Sequence, residues 1–178
     1  MNRHKVVVFC GANATKKYLH QAYNVGKALA ENGFITITAG GPGMMREVNR
    51  GAIEHGGESW GIGILAEKDV DTSVFTKHEV YEGFDKRHQT LIAYGDAYIA
   101  LPGGLGTIYE ALEITQKKKF HEIPKTKPLF FVGSYFDRLI ATFEYFKRNK
   151  FIEENLSDLY IHVKTVEGLI RQLQKKLP

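Results

Sequence analysis

Thr107 and Glu110 stand three residues apart, directly after Gly103, Gly104, Leu105 and Gly106, in the stretch ALPGGLGTIYEALE at residues 100–113. A glycine-rich turn that opens a helix presents backbone N–H groups with no carbonyl partner, and the helix dipole adds positive potential there. Such a turn suits one phosphate or carboxylate, with the Thr107 hydroxyl as a further donor. Glu110 has two readings. S/T-x-x-E is the capping box, in which the glutamate only satisfies the threonine N–H. A capping box needs no run of glycines, whereas a backbone that must approach a ligand does. A carboxylate one helical turn from a bound anion weakens binding by repulsion, so its purpose there would be chemistry at a neighbouring atom. On spacing alone both readings stay open.

Gly40, Gly41, Pro42 and Gly43 form a second glycine loop, followed by MMREVNRGA. Its Gly41 and Gly43 are candidate backbone contacts to the same ligand. Neither loop fits GxxxxGK[ST], and neither completes GxGxxG, so a P-loop and a dinucleotide fingerprint are both unmet. A monophosphate is expected rather than a polyphosphate, with no metal and no cofactor.

These loops must be held by regular elements, and the hydrophobic pattern supplies them. Apolar runs of strand length occur at residues 5–11, 34–39, 59–65, 96–101, 128–133 and 159–163. Helical periodicity occupies 20–33, the segment after Gly43, 84–94, 107–119, 135–148 and 165–177. Residues 66–82 read as polar and irregular. Strands that are apolar at nearly every position belong to a sheet covered on both faces. The expected fold is a doubly wound, Rossmann-like α/β three-layer sandwich with a mainly parallel sheet, formed as one domain over residues 1–178. Both glycine loops follow strands, so both are expected at the carboxyl-end crevice where such sheets bind ligands.

Composition narrows the class. In 178 residues, hydrophobic content is 43% and charged content 25%, ordinary for a globular chain. The net charge of +4 is dispersed, and its densest cluster, QKKKFHEIPKTK at 116–127, reads as a solvated helix end. Nucleic acid is therefore not an expected partner. One cysteine, Cys10, excludes an internal disulfide and suits a reducing compartment; after VVVF it reads as a small buried residue at a strand end. The apolar run at residues 6–10 is too short for a signal peptide, so the protein is expected in the cytoplasm without membrane association.

The nine residues PGGLGTIYE, 102–110, fit the PGGxGTxxE motif of the LOG (LONELY GUY) family, once labelled lysine decarboxylase-like, and the chain resembles that family over most of its length. GGPGMMREVNRGA resembles its glycine-rich loop. FDKRHQTLIAYGDAYIALPGG resembles the segment that carries its catalytic arginine, which places that role on Arg87, 15 positions before Pro102. The resemblance implies a cytokinin riboside 5′-monophosphate phosphoribohydrolase, or a purine nucleoside-monophosphate nucleosidase, with Glu110 as catalytic carboxylate. The products would be free base and ribose 5-phosphate. The phosphate would rest on Gly103, Gly104, Leu105, Gly106 and Thr107, with His88 as a neighbouring cation; Arg87 would serve the leaving base or the phosphate. Family members are usually dimers or larger, so a homodimer is expected. His88 stands where the family has lysine, Ala39 where it has the first glycine of its loop, Arg46 where it has glutamate, and Gln116 where a threonine is usual. An alternative of similar fold is a non-catalytic binder of a phosphorylated ligand, like the molybdenum cofactor carrier proteins. The decarboxylase label needs a Schiff-base lysine with a pyridine partner, and no such arrangement is readable.

Overall fold

The computed structural model describes residues 3–68 and 70–177. Among them lie seven strands and seven α-helices: β1 Lys5–Phe9, α1 Lys16–Glu31, β2 Ile35–Thr38, α2 Met44–Glu54, β3 Glu58–Ile64, β4 Lys77–Tyr81, α3 Phe84–Tyr94, β5 Ala97–Ala100, α4 Leu105–Lys119, β6 Leu129–Val132, α5 Asp137–Arg148, α6 Leu156–Leu159, β7 Ile161–Val163 and α7 Val166–Lys176. The strands form one sheet in the order β4-β3-β2-β1-β5-β6-β7, and every pairing is parallel. The expected doubly wound α/β sandwich is present.

The central strands β1, β2, β5 and β6 are buried at nearly every position, because helices cover both faces of the sheet. Helix α1 packs against α2 and α7, while α3 and α4 meet through side chains described below. Strand order reverses between β1 and β5, so the loops leaving these two strands diverge and open a crevice at the carboxyl edge. None of the helices among the described residues is long and apolar enough to cross a membrane.

Two elements depart from the sequence expectation. The segment read as irregular, 66–82, contains β4, whose residues KHEVY lie at the sheet's edge, half exposed or exposed. An edge strand with one face wetted carries no apolar run, and charged side chains suit it by discouraging further pairing. The short helix α6 takes the start of the segment read as a strand at 159–163.

The lysine run at 117–119 is also more than a solvated helix end. Lys117 and Lys119 reach surface carboxylates, Glu122 at 2.7 Å and Glu154 at 3.3 Å. Lys118 falls on the same helical stripe as Ala111 and Ile114, and that stripe faces the core. It is 2% exposed, and its Nζ donates to the Leu159 carbonyl at the end of α6, 3.1 Å away. Burial draws its ammonium down to about 8, with Asp158 opposing and Lys176 and Lys125 assisting. The folded state therefore resists a proton that the unfolded chain keeps up to about 10.5. Stability should rise with pH between these two values. Replacement by methionine should stabilise the protein at pH 7 by about 2 kcal/mol, after allowance for the lost hydrogen bond, and the gain should vanish near pH 10.5. Urea midpoints of both proteins at the two pH values check this.

Candidate active site

The crevice is shaped by three loops pressed together through their backbones. The Gly11 N–H donates to the Pro102 carbonyl at 3.1 Å, and the Met44 N–H that opens α2 donates to the Gly11 carbonyl at 3.1 Å. Gly43 has φ +64°, and a Cβ there would collide with the Ala12 carbonyl. A Cβ on Gly103 would collide with the Thr107 side chain and meet the Gly11 nitrogen at 2.9 Å. These two glycines are required by the protein's own packing.

Gly104 and Gly106 differ: a Cβ on either would meet no protein atom within 4 Å. Nothing in the fold demands their lack of a side chain, and both line the cleft at the start of α4. Helix α4 begins at Leu105 with Gly104 as its N-cap and no side-chain cap. The amides of Leu105, Gly106 and Thr107 are thus the first-turn donors, which have no carbonyl four residues back inside the helix. Thr107 lies inside the first turn rather than before it, so the capping-box reading of Thr107 and Glu110 is corrected. A box needs the threonine outside the helix at the cap, and here Glu110 sits in the second turn, free of that duty.

The cleft encloses about 270 Å³ and is lined by β1 and its loop, Ala39, Met45, Glu67, Phe84, Arg87, Gly104, Gly106, Thr107 and Glu110. Arg87 and Glu110, expected to act together, face this one space from α3 and α4. Each is 7% exposed. Burial raises the Glu110 carboxyl to about 7; the Arg87 guanidinium opposes that rise and Glu113 adds to it. The Arg87 guanidinium lies 5.0 Å from the Phe84 ring centre, and its nearest carboxylate is Glu67 Oε1 at 3.8 Å. Its Nε is buried without a hydrogen-bond partner, as is Glu67 Oε2. A buried arginine this loosely paired has donors to offer a ligand.

The other expected contacts divide. Leu105 turns its side chain to solvent at 91% exposure, leaving only its amide to serve a ligand. Gly103 is pinned beneath Thr107, with the Tyr135 hydroxyl donating to its carbonyl at 2.6 Å. Gly43 is spent on contact with Ala12. Gly41 lies under Met45 and 3.3 Å, by its would-be Cβ, from Glu67 Oε1, and it borders a separate hollow of about 110 Å³ with Arg46 and Asp71. The segment after β2 therefore meets the cleft through Ala39 and Met45, and Glu67 from the loop after β3 joins them, while Gly41 and Gly43 are not part of the lining. His88 is turned away from the cleft lining and packs against α4.

Sequence reasoning treated Cys10 only as a buried strand-end residue. It is buried, and it also forms part of the cleft wall, its thiol held well above the usual range by burial and by Glu110. The readable signal was its place at the carboxyl end of β1, beside the switch point. Phe84 and Met45 had no such signal, since an aromatic or thioether at a helix start is ordinary packing.

These features define a Rossmann-like α/β protein with a cleft at the switch point of its sheet, walled by a buried acid, a buried arginine and an open helix N-terminus. The chain belongs to the family described as possible lysine decarboxylase, whose model matches residues 45–173 and which includes the LOG proteins. It is 28% identical to the probable cytokinin riboside 5′-monophosphate phosphoribohydrolase LOGL5 of Oryza sativa subsp. japonica, over 98% of this chain and 73% of that protein. It is 27% identical to the cytokinin riboside 5′-monophosphate phosphoribohydrolase LOG of the same plant, over 98% and 74%. Among solved structures it is similar in fold to the molybdenum cofactor binding protein of Rippkaea orientalis, with TM-score 0.77 and 20% identity over 100% and 99% of the two chains.

Proposed function

We propose that this protein hydrolyses the N-glycosidic bond of a nucleoside 5′-monophosphate, giving free base and ribose 5-phosphate. One observation carries the reading: a buried carboxylate, Glu110, stands one turn inside the same helix whose uncapped N-terminus offers the Leu105, Gly106 and Thr107 amides to an anion. The 5′-phosphate takes those amides. The sugar then lies deeper in the cleft, with Glu110 toward its anomeric carbon. Cleavage builds oxocarbenium-like positive charge on the ribose, which an ionised carboxylate stabilises while it orients water. Arg87, with an unpaired Nε in the same space, stabilises the departing base or the phosphate. The names of the plant relatives support this class of substrate.

A non-catalytic carrier of a phosphorylated ligand needs the amide cradle but gains nothing from an acid beside its bound anion. Incubation with a panel of nucleoside 5′-monophosphates and the matching nucleosides, assayed for free base, tests the choice. Base released only from the phosphorylated members supports hydrolysis. Tight binding of a nucleotide with no base released supports the carrier.

The cradle makes its own prediction. Gly104→Ala should leave the urea midpoint close to wild type, because its Cβ meets only open space, while KM for the nucleotide rises about tenfold or more as the methyl group enters the phosphate seat. Gly103→Ala should instead lower the midpoint, because its Cβ strikes Thr107 and Gly11. Steady-state kinetics and urea titration of the two variants separate these effects.

A further inference from the structure

His88 is 3% exposed and lies behind Glu110 as seen from the cleft. Its ring stacks on Phe84 at 5.6 Å with an interplanar angle of 7° and is bounded by Phe9 at 6.1 Å and Tyr109 at 5.8 Å. Two carboxylates of α4 flank the ring. Nε2 lies 2.7 Å from Glu113 Oε2, and Nδ1 lies 3.9 Å from Glu110 Oε1. The Nε2 approach is close without being aligned as a hydrogen bond, and Nδ1 has no hydrogen-bond partner. The charged and titratable groups facing this cluster are Glu110, Glu113, Lys117 and Tyr109 from α4, Arg87 from α3 and Cys10 just past β1.

A carboxylate beside one imidazole nitrogen keeps the proton there and leaves the lone pair on the other. Glu113, beside Nε2, thus selects the tautomer in which the Nδ1 lone pair points toward Glu110. We propose that His88 is a positioning residue for Glu110: anchored by Glu113, it accepts the Glu110 proton at Nδ1 and returns it, so that Glu110 faces the sugar ionised. This rests on Glu110 being the catalytic carboxylate of the reaction proposed above. In that reaction the attacking water forms its oxygen bond to the anomeric carbon, and the carbon–nitrogen bond to the base breaks. The water proton passes to Glu110, is held on His88 as imidazolium between two carboxylates, and returns through Glu110 to the departing base. The transfer requires the 3.9 Å gap between Nδ1 and Glu110 Oε1 to close to hydrogen-bond length.

Burial lowers the His88 imidazolium below its ordinary 6.5 and raises the Glu110 carboxyl to about 7, so the usual order of an imidazole above a carboxylic acid is lost. A single proton on the cluster can then reside on either group. The lysine of the related family at this position would act as a fixed cation; histidine makes the charge adjustable.

Three measurements test the assignment. The pH dependence of kcat/KM is compared for wild type, His88→Gln and His88→Lys, with folding checked by circular dichroism. Loss of the acceptor in His88→Gln should move the acid limb up by about one pH unit, a loss of about tenfold at pH 6 and little at pH 8.5. A fixed cation in His88→Lys should bring the limb back to the wild-type position or below. Independently of turnover, ¹⁵N NMR of the wild-type chain should show His88 as the Nε2–H tautomer at pH 8, with a titration midpoint that shifts in Glu110→Gln. Superimposed acid limbs for wild type and His88→Gln overturn the proposal. So does an Nδ1–H tautomer, or a His88 midpoint unmoved by Glu110→Gln. Should no nucleotide release base, the hydrolase reading falls, and the NMR coupling alone decides whether His88 and Glu110 share a proton.

Discussion

Glu110→Gln should release base at least about 100-fold more slowly than wild type at pH 8 and should, at the same pH, be the more stable protein. The rate loss follows from the charge. Glutamine keeps the shape and the hydrogen-bonding capacity of the side chain but cannot balance positive charge on the sugar or take a proton from water. The stability gain follows from burial. The Glu110 carboxyl is held at about 7 in the folded protein against about 4.5 in the unfolded chain. Between those values the folded state keeps a proton that the unfolded state has lost, so stability falls as pH rises through this window and stays lower above it. Removing the ionisable group should recover about 2–3 kcal/mol at pH 8 and almost nothing at pH 4. A capping role for Glu110 predicts the opposite: unchanged turnover and no gain in stability. Initial rates of base release and urea midpoints at pH 4 and pH 8 separate the two. In the wild type, activity should climb between about pH 6 and pH 8 as Glu110 ionises.

Arg87→Met should cost about 100-fold or more in kcat/KM, through two effects that pH separates. The first is direct. A buried guanidinium whose Nε has no partner stabilises charge on the base or phosphate, and methionine fills its volume without any donor. The second passes through Glu110. The Arg87 guanidinium lowers that carboxyl against burial and Glu113, which raise it. Without it the carboxyl rises, and the acid limb of the rate profile should move upward by about one pH unit. Raising the pH to 9 should recover the second part of the loss and leave the first. Lysine is not expected to rescue the variant, because an ammonium lacks the planar fork that reaches past Phe84 into the cleft. A limb unmoved in Arg87→Met would mean that the guanidinium does not act on Glu110.

Much of this architecture is written locally. Runs such as VVVF and LFFV, alternating with helical stripes, suit strands buried on both faces and joined by parallel crossovers, so the layered sheet is legible from periodicity. The motif PGGLGTIYE and the spacing to Arg87 bring family, arginine and carboxylate together in the sequence itself. Spacing also suggested an anion seat at the start of α4, because glycines before a helix expose amides whatever surrounds them.

Tertiary structure alone decided the rest. Strand β4 escaped notice because an edge position tolerates charged residues that a central strand would reject. The purposes of the glycines diverged only when their neighbours were known: Gly43 and Gly103 are clamped by Ala12 and Thr107, while Gly104 and Gly106 face open cleft. A run of three lysines looks uniform in one dimension, yet helical phase sends Lys118 into the core and its neighbours to water. His88 carries the same lesson into the site. Its residue type marked it as a cation for phosphate, but its side of α3 puts it between Glu110 and Glu113. Residue type and spacing set which groups are available and roughly where along an element they fall. Which face meets a ligand, a carboxylate or the core is set by packing between elements distant in sequence, and proton affinities follow from that packing.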